Sequence, residues 1–219
     1  MEISGNQALQ DTIPLVVIGA SAGGLDPLEQ FFSAVPEGVG WCFVVTQHLS
    51  PDYRSMMDEL LARKSRLRIR HIEDGAALAP GTLFLNQPGT LATLVDGRFR
   101  TEAYQPGDSL PHLPIDALFR SAAEHPPDAT VGVVLSGSGS DGALGVQALH
   151  KAGATVLVQA PGEAAFNAMP LAAMRSGSVD RILRAGEMPG VIRQILDGSP
   201  SREEGGTGNR EGAHAEVIG

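Results

Sequence analysis

Apolar residues in this chain fall into short dense runs, separated by longer stretches in which they recur at helical spacing. Residues 15–18 (Leu-Val-Val-Ile), 41–45 (Trp-Cys-Phe-Val-Val) and 131–135 (Val-Gly-Val-Val-Leu) are such runs. They are too brief for buried helices and read as strands covered on both faces. After the first run, Leu25, Leu28, Phe32 and Val35 repeat as one buried helix face. Asp26-Pro27 is expected to open that helix as N-cap and first helical residue, and Pro36-Glu37-Gly38 to close it.

The same reasoning predicts helices over 52–63 (Met56, Met57, Leu60 and Leu61 inward), 115–123, 143–152, 170–176 and 188–197, and a strand over 155–158. Between 67 and 101 the pattern breaks into strand-like pieces at 67–71, 82–85, 91–95 and 98–101. Asn86–Gly89 and Asp96-Gly97 supply turns there, so the stretch reads as a strand feeding a small β-hairpin beside the main sheet. Residues 104–114 carry three prolines and read as a loop. Strands alternating with helices predict an α/β fold: a doubly wound, mostly parallel sheet with flanking helices and a small hairpin. Residues 1–12 are expected to be a flexible lead, 13–197 one folded domain, and the glycine- and charge-rich 198–219 a disordered tail or linker.

Charge narrows the field. The 219 residues carry a formal net charge of −9, which opposes nucleic-acid binding. The basic cluster Arg63-Lys64-Ser65-Arg66-Leu67-Arg68-Ile69-Arg70 joins a helix end to a strand and reads as a solvated face. The single Cys42 sits inside an apolar run, as a small buried hydrophobe would, and cannot form an internal disulfide. No signal peptide opens the chain, and no apolar stretch approaches the roughly 18 residues of a membrane helix. A cytoplasmic protein without membrane insertion is expected.

In open parallel sheets chemistry gathers at the carboxyl ends of strands, near the point where strand order reverses. Three strong strands end here in loops bearing Ser21, His48 and Asp141. A serine hydroxyl needs an imidazole to take its proton, and the imidazole needs a carboxylate to fix its tautomer. Ser21 lies in Gly19-Ala20-Ser21-Ala22-Gly23, the spacing of a nucleophile elbow. Singly, each residue has a plainer explanation: a turn serine, a strand-end histidine bonded to a carbonyl, an aspartate in turn or cap chemistry. Their coincidence at strand ends favours catalysis. The order Ser…His…Asp departs from the Ser…Asp…His of α/β-hydrolases. A dinucleotide loop is disfavoured, because serine replaces its second glycine and Gln47-His48 stands where a ribose-binding acid belongs. No lysine follows the glycines, which excludes a Walker loop.

These segments also occur together in a known family. Gly-Ala-Ser-Ala-Gly-Gly (19–24), Gln47-His48, Asp74-Gly75, Leu113-Pro114-Ile115-Asp116, Leu-Ser-Gly-Ser-Gly-Ser-Asp-Gly (135–142) and Phe-Asn-Ala-Met-Pro (166–170) follow one another as in the CheB-type chemotaxis protein-glutamate methylesterases. Over about residues 13–197 the chain resembles their catalytic domain. The 113–116 and 135–142 segments look most like forms fused to CheR-type methyltransferases.

The resemblance implies a serine hydrolase that demethylates glutamate methyl esters on chemoreceptors, and in some members deamidates glutamines. Ser21 would be nucleophile, His48 general base and then acid, and Asp141 the orienting carboxylate. The Ala22 N–H, at a helix start, is the expected oxyanion donor. Gly23, Ser138, His112 and Met169 are candidate substrate-lining residues, Ser138 standing where many members have methionine. Neither a metal nor an organic cofactor is implied. The implied partners are the methylated cytoplasmic region of chemoreceptors and, beyond it, a CheR-type methyltransferase or sensory-kinase domains. No receiver domain precedes the esterase segment in this sequence.

Overall fold

The computed structural model describes residues 12–47, 57–105 and 112–197. Among them, seven strands form one parallel sheet in the order β3-β4-β2-β1-β7-β8-β9, and β5 and β6 form a separate antiparallel hairpin. The strands are β1 (Leu15–Ala20), β2 (Cys42–Gln47), β3 (Arg68–His71), β4 (Thr82–Leu85), β5 (Thr90–Val95), β6 (Arg98–Ala103), β7 (Thr130–Val134), β8 (Thr155–Gln159) and β9 (Arg181–Leu183). The helices are α1 (Leu25–Ser33), α2 (Met57–Lys64), α3 (Pro114–Ala122), α4 (Ala143–Ala152), α5 (Ala168–Arg175) and α6 (Met188–Leu196). The expected doubly wound α/β architecture with its hairpin is what the chain adopts.

Strand β1 shows why. All six of its residues are buried, and successive side chains point to opposite faces. Leu15 and Val17 enter a core layer with Cys42, Val44, Phe84, Phe99, Ile115, Phe119 and Leu149, under α3, α4, α5 and the hairpin. Val16 and Ile18 enter the opposite layer with Phe31, Phe43, Leu61, Met188 and Ile192, under α1, α2 and α6. Phe43 meets Phe31 and Phe32 edge-on at 6.3 and 5.5 Å between ring centroids. Each fully buried large side chain of this kind contributes about 1.5–3 kcal/mol of transfer free energy.

Several details differ from the sequence reading. α1 starts at Leu25 with Gly24 as its N-cap, so Asp26 sits in the first turn and accepts from Gln30 Nε2 at 2.7 Å instead of capping. Of the helix expected over 52–63, the described part is Met57–Lys64, with Met57 and Leu61 inward and Leu60 half-buried. Residues 48–56, Met56 among them, lie outside the described residues, as do 106–111, most of the expected lead and the expected tail. Both 68–71 and 82–85 join the main sheet, rather than one of them feeding the hairpin. β9 was not expected at all. It is a three-residue, largely exposed edge strand, fastened to β8 by Val156 N–H donating to Asp180 Oδ2 at 2.7 Å. Short, charged edge strands lack the apolar run that marks central ones.

This packing shifts two titratable groups, the buried Cys42 and the half-buried His125. Burial pushes the Cys42 thiol up to about 12, against a backbone hydrogen bond at Ala79 that lowers it, so it is an inert core residue. Burial likewise holds His125 below the ordinary imidazole value of 6.5, partly offset by its hydrogen bond to the Ile13 carbonyl. The unfolded chain therefore takes up this proton first as pH falls. The stability the neutral ring contributes is present above 6.5 and lost from there down through the lowered native value. Between pH 7 and 5 the melting temperature of the His125→Gln variant is expected to fall less steeply than that of the unaltered chain.

Among the described residues no helix is long and apolar enough to cross a membrane.

Candidate active site

The chain passes from β1 to β2, then to β3 at the edge and back to β4 between them, before crossing to the other flank of β1 as β7. Strand order therefore reverses between β1 and β7, where parallel sheets open a crevice at their carboxyl ends. Ser21 leaves β1 there, and Ser136-Gly137 leaves β7 beside it. The two loops extend the ladder: Leu135 N–H donates to Gly19 O and Ser21 N–H to Ser136 O, both at 2.9 Å.

Ser21-Ala22-Gly23-Gly24 is a tight turn closed by Gly24 N–H to Ser21 O at 2.9 Å. Gly23 takes φ +66°, which only glycine adopts cheaply at the third position of a type II turn. A Cβ at Gly23 would also lie 2.9 Å from the Phe166 ring and 3.1 Å from Ser136 Oγ. Ala22 thus stands in a turn three residues ahead of α1, not at the helix start itself. Among the described residues no acceptor is hydrogen-bonded to the Ala22 N–H. Ser21 is 6% exposed.

Ser136 is the hub of this end of the sheet. Its hydroxyl donates to Ala22 O at 2.9 Å and accepts from Phe166 N–H at 3.0 Å, while its own N–H donates to Gln159 Oε1 at 2.8 Å. Gln159 Nε2 donates to Glu163 Oε2 at 3.2 Å, and the same oxygen accepts from Ala185 N–H at 3.1 Å. Next to it, Gly137 is fixed from both sides: its N–H donates to Phe166 O at 2.9 Å and its carbonyl accepts from Met169 N–H at 3.0 Å. A Cβ on Gly137 would strike Met169 Sδ and lie 2.9 Å from Ser21 Cβ. Gly137 is therefore packed closely against both Ser21 and Met169. Ser138 is exposed one residue further on.

Asp141 is buried, at 4% exposure, and its carboxylate caps another helix. Oδ2 accepts from Ile115 N–H at 3.0 Å and Oδ1 from Asp116 N–H at 2.9 Å, at the start of α3. Asp116 returns the arrangement, its Oδ1 accepting from Gly145 N–H at 2.7 Å in the first turn of α4. Each helix start has otherwise unpaired N–H groups and a partial positive charge that a carboxylate satisfies. Between them sits Ile115, whose side chain leaves no room for a Cβ at Gly19 or at Gly142. That wedge locks the end of β1, the start of α3 and the Asp141 loop together. A carboxylate has about four acceptor positions, more than these two backbone donors use.

His112 stacks on Tyr104 with ring centroids 3.6 Å apart and planes 2° from parallel. The Tyr104 hydroxyl is held above its ordinary value, first by burial and then by the charge of Asp141. His48 lies outside the described residues.

A sequence model of the CheB methylesterase family matches residues 16–192, the span that holds every group described above. The chain belongs to the CheB methylesterase family. It is 33% identical over 175 residues to a protein-glutamate methylesterase/protein-glutamine glutaminase of Carboxydothermus hydrogenoformans, covering 77% of this chain and 51% of that protein. A similarly named protein of Anaeromyxobacter dehalogenans is 32% identical over 192 residues, covering 86% of this chain and 52% of the relative. The chain thus spans about half the length of the curated relatives it matches. The crystal structure of the Thermotoga maritima CheB methylesterase catalytic domain superposes with a TM-score of 0.73 at 25% identity, covering 86% of this chain and all of that one.

Sequence reasoning had selected Ser21, Asp141 and the segments at 135–142 and 166–170 of this CheB-family domain. It passed over Ser136, Gln159 and Asp116 as site-building residues. The backbone groups their side chains hold lie 23–114 residues away, and no local spacing announces such contacts.

Proposed function

We propose that this chain is the catalytic part of a protein-glutamate methylesterase, with residues 13–197 as the catalytic unit. Ser21 is its nucleophile, His48 its general base and then acid, and Asp141 the carboxylate that orients His48. What carries the reading is a turn serine fixed at the β1/β7 switch point, inside a span matched by the CheB methylesterase family.

In this mechanism Ser21 Oγ attacks the carbonyl carbon of a glutamate methyl ester while His48 takes the hydroxyl proton. The Ala22 N–H donates a hydrogen bond to the developing oxyanion. Collapse breaks the bond to the methoxy oxygen, His48 returns the proton, and methanol leaves. Water, deprotonated by His48, then attacks the acyl-enzyme and frees glutamate and Ser21. With a glutamine side chain the same steps expel ammonia, which gives deamidation.

The substrate is a protein surface: the methylated cytoplasmic region of a chemoreceptor. Exposed large hydrophobics support this. Among the described residues Leu25, Val95, Leu113, Leu144, Phe166 and Ile182 are exposed, and four of these six flank the site. Leu25 follows the Ser21 turn, Phe166 packs over Gly23, and Leu113 and Leu144 lie at the helix starts tied to Asp141 and Asp116. Apolar side chains left bare around a catalytic serine suit a macromolecular partner better than a small ester. A CheR-type methyltransferase or sensory-kinase domain is the further partner class, and the cytoplasm the compartment.

The test is methanol release from a methylated receptor fragment by the purified chain. Release is expected, and Phe166→Ala is expected to raise KM about 3–10-fold with kcat little changed, since loss of one exposed apolar contact removes about 1 kcal/mol of binding. No release from any methylated receptor would reject the proposal.

A further inference from the structure

Gln47 is the last residue of β2, and the register of the parallel pair places it beside Ala20, the last residue of β1. From there its side chain reaches the turn, where Nε2 donates to the Ser21 carbonyl oxygen at 3.2 Å. That oxygen also accepts from Gly24 N–H at 2.9 Å. The peptide group is planar, so two donors that fix the direction of the Ser21 carbonyl also fix the Ala22 N–H, which points the opposite way. The following peptide is clamped as well, because Ala22 O accepts from Ser136 Oγ at 2.9 Å. Both peptides flanking Ala22 are thereby held, one by Gln47 and one by Ser136.

We propose that Gln47 is a positioning residue for the oxyanion donor. It aims the Ala22 N–H at the place where ester oxygen charge develops, and by hydrogen-bonding the carbonyl of the same peptide it makes that N–H a stronger donor. The inference rests on the methylesterase reading above, which supplies the oxyanion. It also gives the segment Gln47-His48 a division of labour: one strand end carries the clamp for the oxyanion donor and, next in sequence, the proposed base.

Removing an oxyanion donor outright costs about 10²–10³ in kcat. Gly24 N–H still holds the Ser21 carbonyl when Gln47 is changed, so a smaller loss, about 10–100-fold, is expected. The variants are Gln47→Met, which keeps length and removes the donor, and Gln47→Glu, which keeps shape and sets a carboxylate against the carbonyl.

Two assays are run on the same protein. One is methanol release from the methylated receptor fragment. The other is the rate at which a fluorophosphonate probe labels Ser21. In that reaction Ser21 Oγ bonds to phosphorus, fluoride leaves, and the phosphoryl oxygen occupies the oxyanion position. Both variants are expected to lose about 10–100-fold in kcat and in labelling rate, with KM within about threefold of the unaltered chain. Labelling at the unaltered rate in a folded variant would overturn the proposal, as would a rise in KM with kcat unchanged. If one variant does not fold, the other decides. If the unaltered chain labels but releases no methanol, the methylesterase reading fails, while the role of Gln47 is still decided by labelling.

Discussion

Asp141→Ala is expected to abolish ester hydrolysis and, separately, to destabilise the domain. The stability loss follows from the two hydrogen bonds at the start of α3, where Ile115 and Asp116 N–H groups donate to a carboxylate that is 4% exposed. Leaving two such donors without acceptors costs about 1–3 kcal/mol each, less whatever water recovers, so about 2–4 kcal/mol in all. For a domain of this size that lowers the melting temperature by roughly 5–15 °C. Asp141→Asn separates the two roles. The amide keeps one acceptor oxygen for α3, so a smaller share of stability is lost. It cannot orient and stabilise an imidazolium, however, and kcat is expected to fall about 10⁴-fold, as when a triad carboxylate elsewhere becomes an amide. Thermal melts and methanol release on the two variants check this. An alanine variant with unaltered melting would remove the capping role, and an asparagine variant with near-normal kcat would remove the catalytic one.

Gly137→Ala is the second large effect. The added methyl would meet Met169 and lie 2.9 Å from Ser21 Cβ. Gly137 cannot retreat, because its N–H and carbonyl are tied to Phe166 and Met169. The methionine end is flexible, whereas the Ser21 backbone is pinned through Ser136. Overpacking of this kind costs about 1–3 kcal/mol. A displacement of the nucleophile on the order of 1 Å is worth about 10²-fold in kcat. The double variant Gly137→Ala with Met169→Ala relieves only the methionine contact. It is expected to regain stability relative to the single glycine variant without regaining activity. Recovery of kcat in the double variant would show that Met169, not Ser21, absorbs the strain.

The central strands and the residues at their ends were legible because their physics is local. A run such as Leu15–Ile18 must be buried on both faces, and a serine set between glycines after it has few conformations to choose from. α4 likewise runs over the predicted span Ala143–Ala152, its C-terminus marked by Gly153 in the left-handed region. The edge strand β9 escaped for the opposite reason: Arg181–Leu183 owes its place to β8 and to Asp180 rather than to its own pattern. The polar frame of the site escaped too. Asp141 could be marked as chemically interesting, but a carboxylate accepting from the helix-start N–H of Ile115, 26 residues earlier, cannot be read from spacing. Nor can the Gln159–Glu163 bridge, which ties Ser136 to Ala185.

The claim on which all of this turns is that Ser21 forms the covalent bond. Rapid quenching of the chain with a glutamate methyl ester peptide, followed by mass analysis of the digested protein, tests it directly. A transient adduct of the peptide minus methanol is expected on the fragment containing Ser21, absent from a folded Ser21→Ala variant that releases no methanol. A Ser21→Ala variant that releases methanol at the unaltered rate would contradict it.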